Sequence, residues 1–216
     1  MQTTSRLVTT NQQGPHERLE DVVRRHLEHP DRSPLQSGSL TAYAELIAAS
    51  EGRPLVLDAF CGTGHSTALL AQHHPQHFVV GIDRSQHRLA RHVAADAQNY
   101  LLLQARCEDI WRLLAEDGRR LEYHYIFYPN PWPKSAQLKR RVHGHPGFAR
   151  LPQLGGRLEL RSNWRLYVEE FALAIALAGY TGDVSLVPAQ EPDISLFEAK
   201  YRHSGHDLWR FEVNLS

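Results

Sequence analysis

Apolar positions fall into helical and strand periods that alternate along the chain, which predicts a layered α/β domain. Between Arg53 and Arg84, the run Leu55-Val56-Leu57 ends at Asp58 and the chain turns through Phe60-Cys61-Gly62-Thr63-Gly64. A helical pattern follows (Thr67, Leu69, Leu70, Ala71), and a second apolar run ends at Asp83. That is strand, glycine turn, helix, strand, acid. Upstream, Leu19, Val22, Val23 and Leu27 recur at helical spacing, and a Pro-rich break over 30–38 separates this helix from another near 40–50. Downstream, Ser85 is placed to cap a helix reaching about Ala97, residues 100–105 read as a short buried strand, and 110–116 read as a helix. Residues 123–128 form a strand by aromatic and β-branched content. The turn Leu154-Gly155-Gly156 leads into a strand over 157–160. A helix then starts at Arg161-Ser162-Asn163-Trp164, with Tyr167, Val168, Phe171, Leu173 and Ile175 as its apolar positions, and 208–213 is the last strand.

Composition adds that 216 residues with 42% hydrophobic and 22% charged content make one ordinary domain with a substantial core. Lys plus Arg and Asp plus Glu balance at 24 each, so total charge gives no hint of a nucleic-acid partner. The 14 histidines are scattered and form no HxxxH or H-x-E pair followed by cysteines at metal-ligand spacing, so no metal site is expected and most should be solvated. Cys61 and Cys107, without a signal peptide or a bilayer-length apolar run, fit two free thiols in a reducing cytoplasm, away from membranes. Residues 1–15 are polar, with Arg6 as their one charged side chain, and read as a flexible arm able to fold over a substrate.

Candidate chemistry concentrates at strand ends. Gly62 and Gly64 permit backbone angles and a close ligand approach that a side chain blocks, and parallel strands set their ligand-binding carboxyl ends beside that turn. Asp83 follows Gly64 by 19 residues, the spacing at which a carboxylate ending the second strand accepts from ribose hydroxyls. Thr67 stands where a dinucleotide fingerprint has its third glycine, which counts against a pyrophosphate and for a phosphate-free adenosine cofactor. Asp58, Phe60, Cys61, Gly62, Gly64, Asp83 and Arg84 are therefore candidate cofactor contacts. Glu108 and Asp109 add two acids at the end of the third strand, where either also suits the first turn of the following helix.

The strand over 123–128 runs into Pro129-Asn130-Pro131-Trp132-Pro133-Lys134. Three prolines in five residues forbid helix and central strand, so this is a stiff loop. From Tyr123 to Leu158 there is no Asp or Glu, while Lys134, Lys139, Arg140, Arg141, Arg150 and Arg157 supply six positive charges. A neutral protein with one strongly basic segment suits docking on a phosphate backbone.

The turn 58–64 taken with Asp83 resembles motifs I and II of class I S-adenosylmethionine-dependent methyltransferases. P-N-P-W-P-K followed by Lys139-Arg140-Arg141 resembles the signature of the bacterial tRNA guanine-N7-methyltransferase family, P-D-P-W-x-K with K-R-R a few residues on. The likeness runs from about residue 55 to the C-terminus. It implies a Rossmann-like α/β fold with a mostly parallel seven-stranded sheet and helices on both faces. It further implies a single domain over 1–216, with N-terminal helices (16–50) and a core (53–216), S-adenosyl-L-methionine as cofactor, and tRNA as the partner of a monomer or homodimer. By this resemblance Asp58 and the turn 61–64 hold the methionine end, Asp83 the ribose, and Glu108 the adenine region. Asn130, Asn163, Ser195 and Glu198 surround the target base, Asn130 and Glu198 being the candidate catalytic groups and Asn130 also lying near the cofactor. Trp132, Lys134, Lys139, Arg140 and Arg141 engage RNA.

Asn130 and Asn163 depart from the family pattern, which has Asp at both places. Guanine N7 carries no proton, so methyl transfer to it can rest on positioning and electrostatics without an obligatory base. A carboxylate still serves the base by accepting from N1–H and N2–H2, and Asn keeps one acceptor while losing the charge. Glu198 is then the one carboxylate expected at the guanine. Asn130-Pro131-Trp132 also approaches the Asn/Asp-Pro-Pro-aromatic pattern of amino-methyltransferases acting on adenine, cytosine or glutamine, but Trp132 takes the second proline's place and the K-R-R run stays unexplained. A non-catalytic tRNA-binding homologue is the alternative from another class. A small-molecule methyltransferase would leave the basic loop without a purpose.

Overall fold

The computed structural model describes residues 4–216, so residues 1–3 of the expected arm lie outside the described residues. Seven strands, β1 (Leu55–Ala59), β2 (Phe78–Asp83), β3 (Tyr100–Gln104), β4 (Leu121–Phe127), β5 (Arg157–Ser162), β6 (Asp183–Leu186) and β7 (Trp209–Asn214), form one sheet. Their order is β3-β2-β1-β4-β5-β7-β6. β1 to β5 are parallel, and β7 runs antiparallel to both β5 and β6. The helices are α1 (Leu19–Glu28), α2 (Ser37–Ser50), α3 (His65–His73), α4 (Gln86–Leu89), α5 (Cys107–Glu116), α6 (Arg165–Leu177) and α7 (Leu196–His203). Between β4 and β5 the chain makes short 3-10 turns over Ser135–Arg140, Val142–Gly144 and Pro146–Leu154.

β1 and β2 are buried along their whole length, which is why they read as continuous apolar runs and not as alternation. Their side chains still divide by face. Leu57 and Ile82 join the larger core with Val23, Leu46, Ile110, Trp111 and Phe171, while Val56 and Val79 join a smaller one with Leu70 and Phe127. Helices therefore cover both faces. The strand order reverses between β1 and β4, and the crevice at the carboxyl ends of those two strands is where open α/β sheets hold their ligands.

Several local expectations are corrected. The helix after Asp83 ends at Leu89 and does not reach Ala97, although Ser85 Oγ caps it by accepting from Arg88 N–H at 3.3 Å. His92 turns the chain back: Nδ1–H donates to the Thr63 carbonyl (2.9 Å), and Nε2 accepts from Tyr100 OH (2.8 Å). Val93 beyond it is 83% exposed. Leu173, expected in the core, is 46% exposed on α6. His26, His124, His143 and His206 are buried, while the other ten histidines are partly or fully exposed, in keeping with the expectation for most of them. α5 starts three residues earlier than expected, at Cys107. Among the described residues no helix is long and apolar enough to cross a membrane.

Close approach of α3 to β2 needs a gap in the strand, and Gly81 supplies it. A Cβ there would overlap Thr67 Oγ1 and lie 2.6 Å from Leu102 Cδ2 and 3.0 Å from Cys61 Sγ. The room that the dinucleotide fingerprint makes on the helix is thus made on the strand. Gly81→Ala is expected to lower stability by about 1–3 kcal/mol, read from urea unfolding; an unchanged midpoint would contradict this packing.

Candidate active site

The turn after β1 is held by two carboxylates. Asp58 is wholly buried, and its Oδ2 accepts from Ser66 Oγ and Thr67 Oγ1, both at 2.7 Å, in the first turn of α3. Its Oδ1 has no hydrogen-bond partner among the described residues. Burial, opposed by the two hydroxyls and reinforced by the charge of Asp83, pushes the Asp58 carboxyl up to about 6. Asp83 Oδ2 accepts from Gly62 N–H (3.0 Å), and its Oδ1 accepts from Ser85 N–H (2.8 Å) and pairs with Arg88 (3.0 Å). Gly62 and Gly64 adopt φ of 63° and 76°. A Cβ at Gly62 would project into open space, whereas one at Gly64 would strike Leu102, so the first glycine leaves room for a ligand and the second packs against the sheet. Cys107 Sγ accepts from Phe60 N–H at 3.2 Å; both cysteines are free and buried, and burial raises both thiols.

Glu108 is partly buried against Gly147, with Arg106 at 4.0 Å. Asp109, a candidate cofactor contact by sequence, instead faces α2, where Oδ2 accepts from Ser39 Oγ (2.8 Å) and Gln36 N–H (3.3 Å). It joins two helices and is not turned to the crevice. Arg84 is exposed beside Asp83.

The other candidate residues lie at the ends of β4 and β5, which pair through Phe127 and Arg161. Asn130 is exposed and makes no side-chain hydrogen bond among the described residues. Tyr128 and Trp132 flank it at φ of 51° and 46°, and Phe60 at the end of β1 has φ 63°. Among the described residues four non-glycine residues have positive φ, and these are three of them. Such backbone is strained and persists where the surroundings impose it, commonly at sites of function. Asn163, just past β5, donates from Nδ2 to His206 Nδ1 at 3.0 Å. Ser195 caps α7 by accepting from Glu198 N–H (3.1 Å).

Glu198 corrects the expectation of a carboxylate offered to the base. It is fully buried, with Oε1 paired to Arg161 Nη1 (2.9 Å) and Oε2 accepting from Tyr128 OH (2.8 Å). Arg161 also pairs with Glu159 (2.5 Å) and Glu191. Charge compensation in this cluster absorbs the acid.

The basic segment divides in the same way. Arg141, expected on RNA, is buried: it pairs with Glu170 and donates to Gln12 Oε1 (2.5 Å) and the Trp132 carbonyl (3.2 Å). Arg150 lies 3.7 Å from Glu116, and Arg157 pairs with Glu212 at 2.5 Å. Lys134, Lys139 and Arg140 are exposed with no carboxylate partner among the described residues, and the Arg140 guanidinium lies 4.7 Å from the Trp132 ring centroid. Arg88, Tyr128, Arg161 and His206 were missed by sequence reasoning. Tyr128 alone carried a signal, being the last residue before the Pro-rich loop.

A family model described as "Putative methyltransferase" matches residues 52–211. The chain belongs to this methyltransferase family. Among curated relatives, a tRNA (guanine-N(7)-)-methyltransferase of Photobacterium profundum is 29% identical over 170 residues, 72% of this chain and 68% of its own length. One from Neisseria meningitidis is 27% identical over 168 residues, 73% of this chain and 70% of its own. Among solved structures, the 16S rRNA methyltransferase KamB superposes with a TM-score of 0.60 at 17% identity, over 87% of this chain and 98% of that one. At that identity the superposition shows the fold, the α/β architecture and seven-stranded sheet expected from the sequence.

The raised carboxyl of this methyltransferase has a pH signature. Between the unfolded value near 3.8 and the folded value of about 6, native Asp58 keeps a proton that the unfolded chain has lost, so its contribution to stability falls as pH rises through this window. Relative to Asp58→Asn, the wild-type chain is expected to lose roughly 1–2 kcal/mol between pH 5 and 7.5, measured by urea unfolding of both. Parallel pH profiles would contradict the assignment.

Proposed function

We propose that this chain is an S-adenosyl-L-methionine-dependent methyltransferase that modifies guanine N7 in tRNA. One observation carries the proposal: the adjacent parallel strands β1 and β4 lead at their carboxyl ends into a glycine turn with an unsatisfied buried carboxylate oxygen and a strained Pro-rich loop, the latter followed by cations with no carboxylate partner among the described residues. The residues fit the cofactor. Asp58 Oδ1 is an acceptor awaiting a donor, suited to the ammonium of a methionine moiety, and Gly62 leaves space for close approach. Asp83 has three donors on two oxygens, which leaves acceptor capacity for a ribose hydroxyl, and Arg88 beside it is partly exposed.

When bound, the cofactor supplies an electrophilic methyl group. The chain's own residues then orient the acceptor. N7 holds a lone pair in the ring plane, so nothing need remove a proton, and the site has to fix distance and angle. Asn130, on a loop stiffened by three prolines, and Asn163, at the end of β5, are the neutral groups placed to do so. Lys134, Lys139 and Arg140 dock the phosphate backbone, with Trp132 held beneath Arg140. The chain acts in the cytoplasm on tRNA, as a monomer or a homodimer.

Purified protein incubated with unmodified tRNA and methyl-labelled S-adenosylmethionine is expected to transfer label to the RNA. Lys139→Glu with Arg140→Glu should weaken tRNA binding at least tenfold at low salt and flatten its salt dependence by about two counterions. Transfer that is unaffected by this charge reversal would contradict the docking surface, and absence of transfer would contradict the function.

A further inference from the structure

We infer that His206 is a positioning residue that fixes the side-chain amide of Asn163 so that its oxygen, not its nitrogen, faces the target base; this rests on the reading of the crevice as a guanine site. The contacts start at a backbone carbonyl. His206 Nε2 lies 3.1 Å from Ser5 O, and a carbonyl oxygen only accepts, so Nε2 carries the proton. In the neutral ring Nδ1 is then a bare lone pair. It lies 3.0 Å from Asn163 Nδ2, which donates into it. A doubly protonated ring would set two donors face to face at that contact. With Nδ2 turned to His206, Asn163 Oδ1 points the other way, and it has no hydrogen bond among the described residues.

The ring is held in this pose from several sides. It is 9% exposed and stacks on Tyr201 at 5.4 Å with 16° between planes. Tyr201 in turn packs on Tyr128, which bonds Glu198. Ser5 is anchored separately, its N–H donating to Ser204 Oγ at 2.9 Å. The N-terminal segment therefore reaches the acceptor side through one carbonyl, one imidazole and one amide.

Asn at position 163 follows from this arrangement. A carboxylate would offer unprotonated Nδ1 no hydrogen and would drive the imidazole to take one up. An amide satisfies Nδ1 and still presents an acceptor. Guanine offers donors at N1–H and N2–H2, whereas adenine N1 is an acceptor, so an amide locked with its oxygen outward favours the first base, and a flipped amide loses that preference.

The test uses the full chain. The 15N NMR spectrum of His206, recorded without substrate at neutral pH, is expected to show the Nε2–H tautomer. His206→Phe keeps a stacking ring without nitrogens and is expected to lower kcat/KM for tRNA about fivefold or more, the effect of one mis-oriented hydrogen bond. Adding Asn163→Asp to that variant is expected to restore the value to within about twofold, because either carboxylate oxygen accepts and no orientation is needed. An Nδ1–H or charged ring, an unchanged kcat/KM in His206→Phe, or a loss that Asn163→Asp does not recover would overturn the inference, the last by marking a purely structural role. A wild-type chain that transfers no methyl group to tRNA would instead overturn the guanine-site reading, and the substrate-free tautomer measurement tells the two apart.

Discussion

The acceptor side of the crevice depends on the burial of one carboxylate, that of Glu170. It has no exposed side-chain surface, and isolating such a charge from water is costly by several kcal/mol unless partners replace the solvent. Here they come from every side: Arg141, His143 Nε2 (3.0 Å), Gln12 Nε2 (3.1 Å) and the His16 N–H (2.8 Å). Burial alone would raise its pKa; His143 and Arg141 outweigh that and hold the group at about 2. The geometry that satisfies one acid joins α6, the segment after the Pro-rich loop and the N-terminal residues. Arg141 passes the constraint on by donating to the Trp132 carbonyl, and Thr10 Oγ1 donates to the Pro133 carbonyl at 2.7 Å. The strained backbone of the loop is imposed by these contacts.

This explains why a run of like charges divides its work. In Lys139-Arg140-Arg141 the first two residues face solvent and the third closes a buried ion pair. The cluster around Arg161 repeats the pattern with opposite sign: Glu198, Glu159 and Glu191 surround its guanidinium, and Arg202 and Arg210 pair with Glu198 and Glu191 from outside. Acids near the acceptor crevice are thereby neutralised from within, while cations remain on its rim. Such a surface attracts a polyanion and presents neutral groups to the base.

The sheet and the glycine turn after β1 were legible in the sequence because both are local: apolar runs mark buried parallel strands, and two glycines between a strand and a helix mark a tight turn. The Pro-rich loop was legible for the same reason. What escaped reading depends on contacts between distant residues. Arg141 and Glu198 looked available because nothing in their neighbourhood shows Glu170, 29 residues on, or Arg161, 37 residues before. Asp109 looked like a crevice acid because its partner, Ser39, comes from a helix 70 residues earlier. The short α4 escaped because the His92 ring, not helix propensity, decides where the chain turns.

On the proposed function, a crevice bordered by two amides, with the neighbouring carboxylates paired, directs a methyl group to a guanine ring nitrogen. Mass spectrometry of nucleosides from unmodified tRNA, digested after reaction with methyl-labelled S-adenosylmethionine, tests this most directly. Label in 7-methylguanosine is the expected result. Label in a base methylated on an exocyclic amine would contradict the claim and assign Asn130 and its loop to amine recognition.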